Sequence, residues 1–298
     1  MFPIIPANTT TAAVSTNDEG IFGFGWTGSV VSMTNLVSNV GVVATDVTGV
    51  GAARTHLAAC EYGGDKGIFG FGYTGSAIDE TNLVSNVGVV STDVTGVGTD
   101  RYGLDACSYG GDKGIFAYGK TAGYVSMSNL VSNAGVVATD VTGVGTVRAY
   151  LGACEYGGDK GIFAYGYIGY PLYNMSNLVS NTGVVATDTT GVGQTRYGLA
   201  ACGYGEDKGI FGYGEQGGYV SMTNLVSNAG VVASDTAGVG TNRYGLEATQ
   251  YGQDKGIFGY GNPGYVSLTN LVTNAGVVGT DVTGVGTGRY NLAACSFN

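Results

Sequence analysis

Charge is scarce in this chain. Its 298 residues include 12 lysines and arginines against 22 aspartates and glutamates, a formal net charge of −10. The basic residues form no cluster, so the footprint needed to neutralise phosphates is missing, and nucleic acid and anionic membranes are excluded as expected partners. There is one histidine, His56, which leaves Ser-His-Asp and Cys-His machinery without a supporting pattern. No segment approaches the ~20 continuous apolar residues that cross a bilayer, so no membrane insertion is expected. The opening stretch has no basic region and its apolar run is broken by Pro3 and Pro6, unlike a secretory signal, so residues 1–18 read as an exposed lead-in. Proline occurs only four times, and the 56 glycines do not fall at every third position, which excludes collagen. With 44% hydrophobic residues the chain can build a real core, and glycine must serve turns or close packing.

Self-comparison explains the glycine. The tripeptide Gly-Ile-Phe begins at Gly20, Gly67, Gly114, Gly161, Gly209 and Gly256, at intervals of 47 or 48 residues. Each unit holds four short runs. The run Leu57 to Tyr62 ends at Gly63-Gly64-Asp65, and the next starts at Lys66 and passes through Ile68, Phe69 and Phe71, a hairpin signature. The run Ser32 to Val37 ends at Ser38-Asn39 and leads into Val42 to Thr45, a second hairpin. Valine, threonine, tyrosine and phenylalanine dominate, and no run keeps a helical period. The chain is expected to be all-β. Four strands in each of six units of about 47 residues is the sequence form of a six-bladed β-propeller, with a solenoid as the alternative.

One unit supplies, in order, Arg101, Leu104 to Cys107, Gly110-Gly111-Asp112-Lys113, Gly114-Ile115-Phe116 and Ser126 to Val131. This order resembles a kelch-type repeat over about residues 20–298. It departs where the kelch glycine doublet becomes Gly-x-Gly or Ala-x-Gly, and where the fourth-strand tryptophan is a pair such as Val136-Val137. The resemblance implies a propeller and leaves function open, since such propellers serve as binding modules, enzymes and virion parts. In style the near-identical repeats also resemble phage tail-fibre and virion-appendage proteins. An engineered consensus protein would show the same uniformity.

The last arginine, Arg289, belongs to a unit that stops after its first strand, whereas the first unit lacks that strand. The C-terminal strand is therefore expected to complete the first blade and close the ring, leaving 19–298 as the propeller and 1–18 as a tail. In the alternative, Thr10 to Ser15 fill that place.

All length variation among the units falls between the second and third runs. In a four-stranded blade this connection and the link to the next blade share one face, and both hairpin turns share the other. Loops on a rigid scaffold commonly carry recognition, so the varied face is the expected binding site. Its candidate residues are Trp26, Tyr73, Tyr124, Tyr167, Tyr170, Tyr173, Tyr219 and Tyr265, with Asp79 and Glu80 as a local acidic pair. Such amphipathic rings suit stacking on sugars or on an apolar partner surface; the same tyrosines could instead pack against neighbouring blades. The residues flanking each arginine vary next most, among them His56, Tyr150 and Asn291.

Other motifs are set aside. Gly-x-Gly-x-x-Gly at Gly23, Gly70, Gly212 and Gly259 precedes strands, not the helix that dinucleotide binding needs. Cys60, Cys107, Cys154, Cys202 and Cys295 share one repeat position, too far apart for disulfides, and read as reduced core residues. The six repeat arginines are expected to pair with carbonyls or with aspartates such as Asp46 and Asp93; a cationic collar at the channel mouth is the alternative. No catalytic, metal or cofactor site is expected. The expectation is a non-catalytic structural or binding propeller, a virion appendage or extracellular adhesin meeting a host-surface glycan or protein. It would contact other virion subunits through its N-terminal segment, and a homo-oligomer is left open. An intracellular kelch-like interaction module is the alternative, and a carbohydrate-active enzyme comes third.

Overall fold

The structure, a computed structural model, describes residues 18–297. All of the proposed lead-in but Asp18, together with the Thr10 to Ser15 alternative, lies outside them, as does the N-terminal contact expected with other subunits. Among the described residues there are eighteen strands and no helix. In chain order they are β1 (Glu19–Trp26), β2 (Val30–Val37), β3 (Ala58–Tyr62), β4 (Lys66–Tyr73), β5 (Ala77–Val84), β6 (Asp105–Tyr109), β7 (Lys113–Ala117), β8 (Ser128–Val131), β9 (Gly152–Tyr156), β10 (Lys160–Tyr167), β11 (Leu172–Val179), β12 (Ala200–Tyr204), β13 (Lys208–Gly212), β14 (Thr223–Val226), β15 (Glu247–Tyr251), β16 (Lys255–Gly259), β17 (Thr269–Val272) and β18 (Ala293–Phe297).

They form six three-stranded antiparallel sheets in a propeller-like arrangement. Five sheets use consecutive strands, such as β3-β4-β5. The sixth has the order β18-β1-β2, with Ile21 opposite Cys295 on one side and opposite Leu36 on the other. The first strands of the sheets neighbour one another in the series β18, β3, β6, β9, β12, β15 and again β18.

The fourth run of each unit departs from expectation. It is a segment held by isolated bridges, Thr34 to Val47 and Val37 to Val43 in the first unit, rather than a strand. Side chains take the place of the ladder: Asn35 Nδ2 donates to the Ala44 carbonyl at 3.0 Å and to Asp46 Oδ1 at 2.9 Å. The aspartate then reaches the connection that leads into its own sheet, where it accepts from Thr287 Oγ1 at 2.7 Å. An extended strand with outward side chains could not make that link.

Apolar packing runs between sheets. Ile68 and Phe71 pack with Ala106 and Phe116 of the following sheet, and the same set recurs around the molecule. The glycine that opens Gly-Ile-Phe is required by this contact: a Cβ on Gly67 would land on the Sγ of Cys295 in the adjacent sheet. The cysteines are all free and buried. The six arginines are fully buried, so no cationic collar exists. Arg101 Nη1 lies 3.7 Å from Asp140 Oδ1, and its Nε donates to the Tyr118 carbonyl at 3.0 Å.

Candidate functional site

At one end of the sheets both hairpin turns meet, as where Asn133 Nδ2 donates to Asp112 Oδ2 at 3.0 Å. The other end carries the connections between second and third strands together with the residues that follow each arginine. Antiparallel bridges place them side by side: Thr55 pairs Tyr73, Tyr102 pairs Lys120, Ala149 pairs Tyr167, Tyr197 pairs Glu215 and Tyr244 pairs Asn262. The variable segment thus faces a position that the repeats hold nearly constant.

This register assembles an aromatic arc. The rings of Tyr73 and Tyr102 lie 5.1 Å apart, Tyr167 stacks on Tyr197 at 4.9 Å, Tyr219 on Tyr244 at 5.6 Å, and Tyr265 on Tyr290 at 5.6 Å. Each pair joins a connection to the post-arginine tyrosine of the next sheet. Further contacts run from Tyr197 to Tyr244 and from Tyr244 to Tyr290. Where Ala149 interrupts the series, Tyr124 meets Tyr167 directly at 6.0 Å, and Tyr150 leans over to meet Tyr167 and Tyr197. Edge-to-face and offset geometries of this kind fix ring orientation and leave part of each ring open. Tyr170, 83% exposed, continues the arc outward from Tyr167. Lys120 lies over the ring of Tyr124 at 5.2 Å.

Inside the arc, six backbone amides form a closed circuit. His56 N donates to Asn291 O at 2.9 Å, Gly103 N to His56 O at 2.8 Å, Tyr150 N to Gly103 O at 2.7 Å, Gly198 N to Tyr150 O at 2.8 Å, Gly245 N to Gly198 O at 2.8 Å, and Asn291 N to Gly245 O at 2.7 Å. Every residue in it has a positive φ, between 52° and 62°. Three positions are glycine, which takes that conformation freely; His56, Tyr150 and Asn291 are held there at a cost of order 1 kcal/mol or more each. They border a small axial cavity of about 40 Å³ that is also lined by six leucines and Glu247. His56 Nε2 lies 2.8 Å from Asn291 Nδ2, and its Nδ1 is buried with no hydrogen-bond partner. Burial lowers its pKa to about 4, so the imidazole is neutral at physiological pH.

Carboxyls sit deeper along the axis. Burial pushes the Asp105 carboxyl up to about 8 and raises that of Glu247, to which Asp105 adds by its charge. Nearer the hairpin end a second cavity of about 50 Å³ is bordered by Glu61 and Glu155. Burial, then the charge of Glu61, pushes Glu155 up to about 7, although it accepts from Ser108 Oγ at 2.6 Å. Glu61 accepts from Ser296. Among the described residues no group of three or more His, Cys, Asp or Glu is arranged to hold a metal ion.

Of the residues singled out from sequence, Tyr73, Tyr124, Tyr167, Tyr170, Tyr219 and Tyr265 come together in the arc. Trp26 pairs its backbone with Tyr290, and neither it nor Tyr173 makes a ring contact in the cluster among the described residues. Asp79 lies on β5 against Gly96, and its carboxyl is raised by burial and by Asp100 beside it. Glu80, on the same strand, acts on the buried Arg54. The acidic pair therefore stands apart from the tyrosines. Sequence reasoning passed over Tyr102, Tyr197, Tyr244 and Tyr290, because an Arg-Tyr step present in four units reads as scaffold. Its signal was available: an aromatic one residue past four of the six buried arginines lies opposite the variable connection. No protein-family model matches the chain, and no curated protein matches it.

Proposed function

We propose that the chain is a six-bladed, kelch-type β-propeller whose ring is closed by the C-terminal strand, and that it acts as a non-catalytic binding module. Supporting the closed ring are the pairing of β18 with β1 and the six-amide circuit, in which the residue before the C-terminal strand donates to and accepts from units at opposite ends of the sequence. The reading of function rests on the tyrosine arc. The tyrosines of the arc, with few charges beside them, gather on the one end where the repeats differ, while the other end repeats the same turns. Flat rings with hydroxyl tips match the apolar face and hydroxyl edge of a sugar. The setting proposed is a virion appendage or extracellular adhesin that meets a host-surface glycan, with several copies adding avidity. A glycan array probed with wild type, Tyr197→Ala and Tyr244→Ala tests this. Binding to a defined set of sugars that drops at least tenfold in both variants supports it. No sugar bound, alongside a tight protein partner on the same face, replaces the adhesin with a protein-interaction module.

A further inference from the structure

Within the arc, the axial mouth differs from the stacked tyrosines around it in three ways. First, it is where the repeat departs from its own best backbone chemistry. Three equivalent positions are glycine at φ near 60°, yet His56, Tyr150 and Asn291 keep side chains there against the left-handed strain. Secondly, His56 carries a buried polar atom with nothing to bond. Asn291 Nδ2 donates to Nε2 of the neutral ring, which places the proton on Nδ1, and that N–H has no acceptor. A buried donor left unpaired is destabilising, and a ligand oxygen would satisfy it. Thirdly, the cavity beneath this rim is floored by Leu57, Leu104 and their four counterparts.

These features define a small ligand group. The volume of about 40 Å³ takes roughly three or four groups of water size, at about 10–15 Å³ each. It needs an acceptor oxygen at the rim, for the Nδ1 proton, and an apolar end on the leucines. A hydroxyl would leave the leucine floor unfilled. A carboxylate would meet no lysine or arginine at the mouth and would face Glu247. An acetamido group satisfies both demands, with its carbonyl oxygen on His56 and its methyl below. We propose that the axial mouth bordered by His56, Tyr150 and Asn291 is a subsite for the acetamido group of an N-acetylated sugar whose ring lies on the tyrosine arc. This specifies the ligand class of the glycan-binding reading and rests on it.

His56 is the only histidine, so its imidazole nitrogens give a single-residue NMR signal. The test titrates labelled protein with N-acetylglucosamine and N-acetylgalactosamine against glucose and galactose, following His56 and the tyrosine ring signals. His56→Gly serves as the variant, because glycine already occupies Gly103, Gly198 and Gly245 in the same conformation. The free protein should show the Nδ1–H tautomer. At least one acetylated sugar should shift His56 and bind tenfold or more tighter than its parent sugar, and His56→Gly should erase that preference while the parent sugar still shifts the arc. Equal binding of acetylated and parent sugars, unaffected by His56→Gly, overturns the subsite and leaves the glycan reading standing. No shift at any arc tyrosine with any of the four sugars counts against the glycan reading itself, and the subsite falls with it.

Discussion

The guanidinium of Arg148 lies 4.1 Å over the ring of Tyr118 while its Nη2 donates to Asn177 Oδ1 at 2.7 Å. Tyr118 directly follows β7 of one sheet and Asn177 lies on β11 of the next, so a single buried cation ties adjacent sheets. The same latch recurs, for instance as Arg289 over Tyr260 with Asn35. Removing one partner from a buried charge costs more than the pair contributes. Asn177→Leu should therefore destabilise by about 2–4 kcal/mol, seen as a fall in Tm. Arg148→Met combined with Asn177→Leu should recover at least half of the loss, because the double variant leaves no buried guanidinium without its partner, and Asp188 keeps its bonds from Thr146. Calorimetry of the two variants decides it; a double variant no better than the single one would contradict the latch.

Close packing between sheets yields a second outcome. A Cβ on Gly161 would meet Cys107 Sγ. Gly161→Ala should lower stability by about 1–3 kcal/mol through overpacking. Adding Cys107→Gly should restore part of it, whereas Cys107→Gly alone should be destabilising. Denaturant titrations of the three variants measure the coupling.

The axis predicts an unusual pH dependence. Asp105 and Glu155 are pushed up to about 8 and about 7, chiefly by burial, and Glu247 is raised by burial and by Asp105. The folded state thus holds protons that the unfolded chain has released, so this stability is present below pH ~4 and is lost as pH rises towards 8. Two effects oppose it at the acid end. His56, lowered by burial to about 4, costs stability as pH falls from about 6.5. For Asp46 and Asp140 burial acts upwards, but hydrogen bonds from threonine and asparagine outweigh it and hold both below the usual value, so their contribution is lost below pH ~4. Because three raised carboxyls outweigh the single histidine above pH ~4, Tm should peak near pH 4–5 and fall by roughly 5 °C towards pH 8.5. Asp105→Asn should flatten the fall; a profile still rising between pH 6 and 8.5 would contradict the buried axial acids.

Burial likewise raises every thiol, Cys202 to about 12. Ellman's reagent should find no reactive thiol in the native protein and all five after unfolding.

What the sequence disclosed follows from what repetition exposes. Repetition fixes the sheet cores and hairpins, since Gly-Ile-Phe recurs six times and the Asp-Lys turn five times at a constant offset from it, and only antiparallel pairing uses them. The fourth run misled because Val42 to Thr45 has strand composition, while its pairing is taken over by Asn35 and Asp46, a side-chain event that composition does not carry. Variation located the tyrosine face but overreached at Asp79, which differs from its counterparts for reasons local to Gly96 and Asp100. It also missed Tyr197 and Tyr244, whose constancy hid that they stack on the variable residues.

The claim that recognition is confined to the tyrosine arc is tested most directly by ring-labelled tyrosine NMR during titration with a sugar found on the array. Tyr62, Tyr109, Tyr156, Tyr204 and Tyr251, buried at the hairpin end, provide an internal control. The account predicts shifts at Tyr102, Tyr167, Tyr197, Tyr244 and Tyr290 with the five control signals unmoved. Shifts confined to the control set, with the arc silent, would contradict it.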